Sequence, residues 1–206
     1  MQAYNSGNME KYNSRNPIKK GLVERLNRKI ISILGEMIGE NNATVLDAGC
    51  GEGYISRLIA SSFPNVNVTG IEYTPEAINV AKEMDTLVSY IQGDISDMPF
   101  ENHSFDFVVC TEVLEHVENP DKALSELLRV GKNGVLITVP HEPWFRMGNM
   151  LAFKNVSRFG NPIDHINHWS FRSFKRFVCR YSRNAEFSNS FPWSVAKIQL
   201  GKEVLQ

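Results

Sequence analysis

Cysteine is scarce in this chain: three in 206 residues, Cys50, Cys110 and Cys179, an odd number with no Cys-x-x-Cys spacing. That pattern excludes a disulfide framework and predicts reduced thiols in a cytoplasmic setting. Long apolar runs are missing too, and none approaches the roughly 20 residues that a membrane-spanning helix needs. The opening stretch, MQAYNSGNMEKYNSRNPIKK, is polar and lacks the apolar core of a leader peptide, so nothing in it directs secretion. With Gly 14 and Pro 9 the chain is too poor in both for collagen or a low-complexity linker, and 42% hydrophobic residues are too many for a disordered one. These exclusions leave one globular α/β domain, long enough to bury its own core.

The formal net charge of -1 conceals an uneven distribution. Residues 1–43 carry 7 Lys/Arg against 4 Asp/Glu, residues 44–140 carry 5 against 15, and residues 141–206 carry 10 against 4. An acidic centre between basic ends suits an anionic acceptor, RNA among them, although solvated surfaces often carry such clusters.

Apolar spacing supplies the elements. Leu22, Val23, Leu26, Ile30, Ile33, Leu34, Met37 and Ile38 recur at the helical period across residues 18–38, and Gly39 is a natural stop. Residues 44–46 predict a short buried strand, and residues 54–63 a helix through Ile55, Leu58 and Ile59. A strand over 66–72 follows, then a helix opened by Thr74 and Pro75, then a strand over 88–92. Apolar runs at 105–110 and 134–139 flank a helix over 120–129. Strands alternating with helices imply a Rossmann-like, doubly wound, mostly parallel sheet with helices on both faces, a three-layer α/β/α architecture. Residues 1–43 are expected to form an arm and helix packed on a core domain of 44–206. Within that domain, 141–169 is expected as a lid-like insertion, 170–180 as a helix, and 185–191 with 193–198 as a closing hairpin.

The most informative segment is Val45-Leu46-Asp47-Ala48-Gly49-Cys50-Gly51-Glu52-Gly53. A strand ends in an acid, and a Gly-x-Gly-x-Gly bend precedes a helix, so backbone can approach a ligand without β-carbon interference. In a doubly wound sheet this bend lies at the carboxyl edge, where ligands bind. A dinucleotide site wants Gly-x-Gly-x-x-Gly to seat a pyrophosphate on the helix N-terminus, and the third glycine here falls one place early. Asp47 would also repel a phosphate, whereas a sulfonium bearing an ammonium would be attracted. Glu72, ending the second strand, can accept from both hydroxyls of a ribose. Asp94, after the third strand, can accept from an adenine amino group.

VLDAGCGEG, VTGIEYTPEAI, QGDISDMPF and FDFVVCTEVLEHV stand here in the order and spacing of the class I S-adenosylmethionine-dependent methyltransferases, which the chain resembles over residues 10–140. The resemblance implies that Asp47, Gly49 and Gly51 line the methionine part of S-adenosylmethionine. It further implies Glu72 and Tyr73 at the ribose and adenine, Asp94 and Ile95 at the adenine edge, and Thr111 on the methionine side. An NAD-dependent oxidoreductase and a non-catalytic cofactor-binding protein are the competing classes, and the glycine spacing and Asp47 oppose the first.

Methyl transfer from a sulfonium is an in-line displacement, so positioning does most of the work, and a hydroxyl acceptor additionally needs a base or a metal. Thr111-Glu112-Val113-Leu114-Glu115-His116 offers both. If this run is helical, Glu112, Glu115 and His116 share a face at i, i+3 and i+4. His116 and His165 are the candidate general bases, with Glu112 and Glu115 beside them. The same four residues are the candidate ligands of Mg²⁺, Mn²⁺, Fe²⁺ or Zn²⁺. The Glu-x-x-Glu-His run is similar to that of ubiquinone-pathway O-methyltransferases and small-RNA 2′-O-methyltransferases. In the latter a downstream Asp-His and aromatic complete a metal site, as Asp164-His165 with Trp169 would here. No RNA-binding extension is recognisable, so a small-molecule acceptor methylated on oxygen is the expected substrate. Trp144, Phe145, Met147, Met150 and Phe153 are expected to form either core or a water-excluding lid, and Tyr4 and Tyr12 to close over the cofactor.

Overall fold

The computed structural model describes residues 12, 14–84, 86–151, 159 and 165–201. Helix α1, Pro17–Ile38, opens at Asn16, whose side chain accepts from the backbone N–H groups of Ile18 and Lys19, and stops at Gly39 with φ 65°. Strand β1 (Ala43–Ala48) runs through the glycine bend into α2 (Tyr54–Ser62). Then follow β2 (Val66–Glu72), α3 (Pro75–Met84), β3 (Ser89–Gln92), β4 (Phe105–Thr111), α4 (Pro120–Val130) and β5 (Gly131–Pro140). The chain continues with α5 (Trp144–Leu151), α6 (Phe171–Cys179), β6 (Ala185–Ser190) and β7 (Trp193–Gln199).

The seven strands form one sheet in the order β3-β2-β1-β4-β5-β7-β6. The first five are mutually parallel, and β7 is antiparallel to both β5 and β6. Chain direction out of β1 goes one way to β2 and β3, and β4 and β5 lie on its other side. The carboxyl ends of β1 and β4 therefore border a topological switch point, the usual ligand crevice of such sheets.

Successive side chains on a strand point to opposite faces, and the core divides accordingly. Val45, Val68, Phe107, Val109, Leu136 and Val195 pack against α1, α2 and α3. Leu46, Ile71, Val108, Cys110, Ile137 and Ala196 pack against α4 and α6 on the other face. The three-layer, mostly parallel architecture expected from the alternating apolar runs is the one observed. Strand β1 extends to Ala48 and β5 begins at Gly131, because paired backbone carries both strands past their apolar centres. The closing hairpin is present at the sheet edge. Among the described residues, no helix is long and apolar enough to cross a membrane.

The expected lid is only partly apolar packing. On α5, Phe145 turns inward, its ring 6.4 Å from that of Trp193, whereas Trp144, Met147 and Met150 remain exposed. Tyr4, Phe153 and Asp164 lie outside the described residues.

Candidate active site

Residues 49–53 form a bend that few side chains would tolerate. Gly49, Gly51 and Gly53 all have positive φ, at 78°, 52° and 74°. A β-carbon on Gly49 would collide with Val113 from the turn after β4. The Gly49 and Cys50 N–H groups donate to the Ile71 carbonyl at 2.8 and 3.1 Å, tying the bend to the end of β2.

Two carboxylates border the bend. Asp47 is buried and accepts from Ser56 Oγ at 2.6 Å. Burial, opposed in part by that hydrogen bond and reinforced by Glu72, pushes its pKa up to about 6. Glu72 links the bend to the turn after β2: one oxygen accepts from Gly51 N–H at 3.1 Å and the other from Thr74 N–H at 2.9 Å. Each carboxylate oxygen has more than one lone pair, so both keep acceptor capacity. Burial, then Asp47 and Glu72, raises the Cys50 thiol, so Cys50 is a neutral wall of the cleft.

Tyr12 reaches this cleft. Its ring stacks on Tyr54 with centroids 4.3 Å apart and planes within 8°. The Arg57 guanidinium lies over Tyr54 at 5.0 Å. Tyr12, Asp47, Gly49, Cys50, Tyr54, Ile55 and Thr111 enclose about 20 Å³, room for roughly one water. Burial, then Asp47, raises the Tyr12 phenol. Thr111, at the end of β4, lines the same pocket as Asp47 and Gly49.

The remaining predicted cofactor residues are more scattered. Tyr73 is exposed beside Glu72, and its carbonyl accepts from Gln92 Nε2 at 3.3 Å. Asp94 is exposed and caps its own loop by accepting from Ser96 N–H at 2.7 Å. Ile95 is buried in the core with Ile71 and Met98.

The turn after β4 departs from expectation. Residues 112–119 are not helical, because Glu112 adopts φ 55° and breaks the period immediately. Glu112 therefore does not share a face with Glu115 and His116. Its carboxylate instead accepts from Trp193 Nε1, which β7 delivers across Pro140 of β5.

Glu115, His116 and His165 do come together, each offering a ligand atom within 4.8 Å of the others. The His116 and His165 rings meet edge to face at 4.9 Å, and Phe145 stacks on His165 at 5.6 Å. Asn167 makes this possible. Its Nδ2 donates to the Leu114 and Val117 carbonyls at 3.0 and 2.7 Å, and the Ile166 and Asn167 N–H groups donate to the Glu115 carbonyl. Glu115 is buried, His165 half-buried and His116 exposed, so the cluster opens toward solvent at one side.

Sequence reasoning missed Ser56, Tyr54, Asn167 and the pairing of Trp193 with Glu112. Ser56, in the first turn of the helix after the bend, carried a local signal. Trp193 carried none, because its partner depends on strand register across 81 residues of chain.

The chain is 40% identical over 143 residues to the 2-methyl-6-phytyl-1,4-hydroquinone methyltransferase of Synechocystis, covering 66% of this chain and 43% of that protein. It is 34% identical over 128 residues to the mitochondrial ubiquinone biosynthesis O-methyltransferase of Schizosaccharomyces pombe, covering 56% and 46%. The chain spans about half the length of the curated relatives it matches. In fold it is similar to magnesium protoporphyrin IX methyltransferase of Synechocystis, solved with bound SAH, with a TM-score of 0.65 at 13% identity over 90% of this chain and 88% of that one. A family model described as a methyltransferase domain matches residues 39–160. The chain belongs to that family, the class I S-adenosylmethionine-dependent methyltransferases.

Proposed function

We propose that this chain transfers the methyl group of S-adenosylmethionine to a hydroxyl of a small-molecule acceptor. The observation that carries the reading is the pair of carboxylates, Asp47 and Glu72, bordering a bend of left-handed glycines. A sulfonium with an ammonium group gains from buried negative charge, whereas a pyrophosphate would be repelled by it. That difference disfavours the NAD-dependent alternative. Glu72 has the capacity to accept from the ribose hydroxyls while remaining tied to Gly51 and Thr74 N–H. Tyr12 would have to withdraw from its stack on Tyr54 for the methionine chain to fit and could then close over it.

On the acceptor side, a neutral imidazole of His116 or His165 takes the hydroxyl proton. The acceptor oxygen attacks the methyl carbon in line with the departing sulfur, the carbon–sulfur bond breaks, and its electron pair stays on sulfur as a neutral thioether. Phe145, stacked on His165, sets a flat apolar ring beside the cluster, which suits a ring-bearing acceptor. The named quinone-pathway relatives support a small-molecule acceptor, and one of them is an O-methyltransferase.

A metal-assisted version of the same reaction has one specific observation in its favour, the Glu115, His116 and His165 donors within 4.8 Å. One carboxylate and two imidazoles suit Zn²⁺, Fe²⁺ or Mn²⁺. Such an ion would lower the pKa of a bound hydroxyl. Glu112, held by Trp193, is not in this donor set.

The test is transfer of isotopically labelled methyl groups to a panel of phenols, hydroquinones and short RNAs, with and without chelator. Labelled phenolic ether from wild type, reduced by about 10²-fold or more in a His116→Ala, His165→Ala double variant, is the expected result. Labelling of RNA alone, or of no acceptor while S-adenosylmethionine still binds, contradicts it.

A further inference from the structure

Single exposed apolar side chains are ordinary, but contiguous ones are not. Trp144, Met147 and Met150 stand at i, i+3 and i+6 on α5 and are 46%, 47% and 41% exposed. The patch continues off the helix. Phe191, in the β6–β7 turn and 49% exposed, brings its ring to 6.2 Å from that of Trp144. Helix α5 contains no acidic residue.

Cations rim this apolar face. The Arg25 guanidinium of α1 donates to the Phe191 carbonyl, and Arg146 Nε of α5 donates to the carbonyl of exposed Phe159 at 3.2 Å. These two arginines, one from α1 and one from α5, place positive charge at the patch, and Glu142 at the foot of α5 is buried. An apolar face with Trp at its edge and arginines beside it matches the interface between headgroups and acyl chains of an anionic bilayer. Burying the apolar side chains and approaching acidic headgroups with the surrounding cations both contribute to such binding. Nucleic acid would use the cations and could stack on Trp144, but it would leave Met147 and Met150 without an apolar partner.

We propose that the α5 face with Phe191 docks on the surface of a membrane bearing anionic lipid, peripherally and without spanning it. Phe145, on the opposite side of the same short helix, contacts His165, so the docking face adjoins the acceptor side of the site. The inference does not depend on the methyl-transfer reading, since lipid binding and S-adenosylmethionine binding are measured separately.

The experiment is co-sedimentation of the full chain with vesicles of phosphatidylcholine alone and of phosphatidylcholine with phosphatidylglycerol. Wild type is expected to partition about tenfold or more in favour of the anionic vesicles, with binding weakened by salt. A Trp144→Ser, Met147→Ser double variant is expected to lose about tenfold in partitioning. Its melting temperature and S-adenosylmethionine affinity should stay at wild-type values. A milder Met150→Ser variant, measured in parallel, keeps the test open if the double variant does not fold, and is expected to lose about threefold. Equal partitioning of well-folded Met150→Ser and wild type, absence of wild-type binding to anionic vesicles, or binding of short RNA without binding of vesicles would overturn the proposal.

Discussion

The two sides of the crevice are built on opposite plans. On the β1–β2 side, Asp47 and Glu72 are held by short local ties: Ser56 on the next helix, and backbone N–H groups of the bend itself. Sequence separations there are 2, 9 and 21 residues. On the acceptor side, Glu112 is held by Trp193 from 81 residues away, and Asn167 ties down the Glu115 turn across 50 to 53 residues. The β1–β2 half is acidic and its two carboxylates are held within one stretch of chain, with Tyr12 and Thr111 lining the pocket beside them. The half around the turn after β4 is aromatic and assembled from distant pieces. A common cofactor asks for a fixed cradle, and a particular acceptor asks for parts that vary independently.

If that division is right, damage on one side should spare the other. The largest effect is expected from Gly49→Val. A β-branched residue is strained at φ 78°, and its side chain would meet Val113, together costing on the order of 2–6 kcal/mol. A lowered melting temperature with loss of detectable S-adenosylmethionine binding by calorimetry is the predicted outcome. Unchanged binding would mean that the bend is not the cradle.

Asn167→Ala is the counterpart on the acceptor side. It removes two hydrogen bonds to the 114–117 turn, worth about 1–3 kcal/mol of stability, and releases His165 from His116. Methyl-transfer turnover should fall about tenfold or more while S-adenosylmethionine affinity stays within about twofold. Parallel losses in both would show that the two halves are one cooperative unit.

A pH series gives the smallest and most specific effect. Because folding raises the Asp47 pKa to about 6 from 3.8, the folded chain prefers the neutral carboxyl. Its favourable contribution to folding is fully present below pH 3.8 and is lost as pH rises through about 6. Binding of a cationic cofactor has the opposite sign, needing the carboxylate. Affinity should therefore weaken as pH falls through about 6, by at most about tenfold per unit, and Asp47→Asn should flatten that profile. A profile that persists unaltered in Asp47→Asn would assign the titration elsewhere.

The same contrast explains what could be read from the chain in advance. Alternating apolar runs sufficed for the layers and most strands, because period-2 and period-3.6 burial is written locally in residues such as Val45–Leu46 and Leu124–Leu127. Asp47, the glycines and Glu72 were legible as local motifs, an acid and a glycine bend after one strand and an acid ending the next. The acceptor side was not. Glu112, Glu115 and His116 read as a helical turn by spacing, but one left-handed residue, Glu112, redirects them, and a register-dependent partner holds it there. The cluster survives in altered form because Asn167, which no spacing rule singles out, closes the loop onto the turn. Trp144, Met147 and Met150 illustrate a further limit: periodicity marks an apolar stripe and is silent on whether protein or something else covers it.

The most direct test of the central claim is isothermal titration of S-adenosylmethionine into the wild-type chain and into Glu72→Ala, with NAD as the comparison ligand. The account predicts binding of S-adenosylmethionine, none of NAD, and a loss of about 1–3 kcal/mol in the variant, roughly 5- to 150-fold in Kd. Equal affinity in wild type and variant, or NAD binding at the glycine bend, would contradict it.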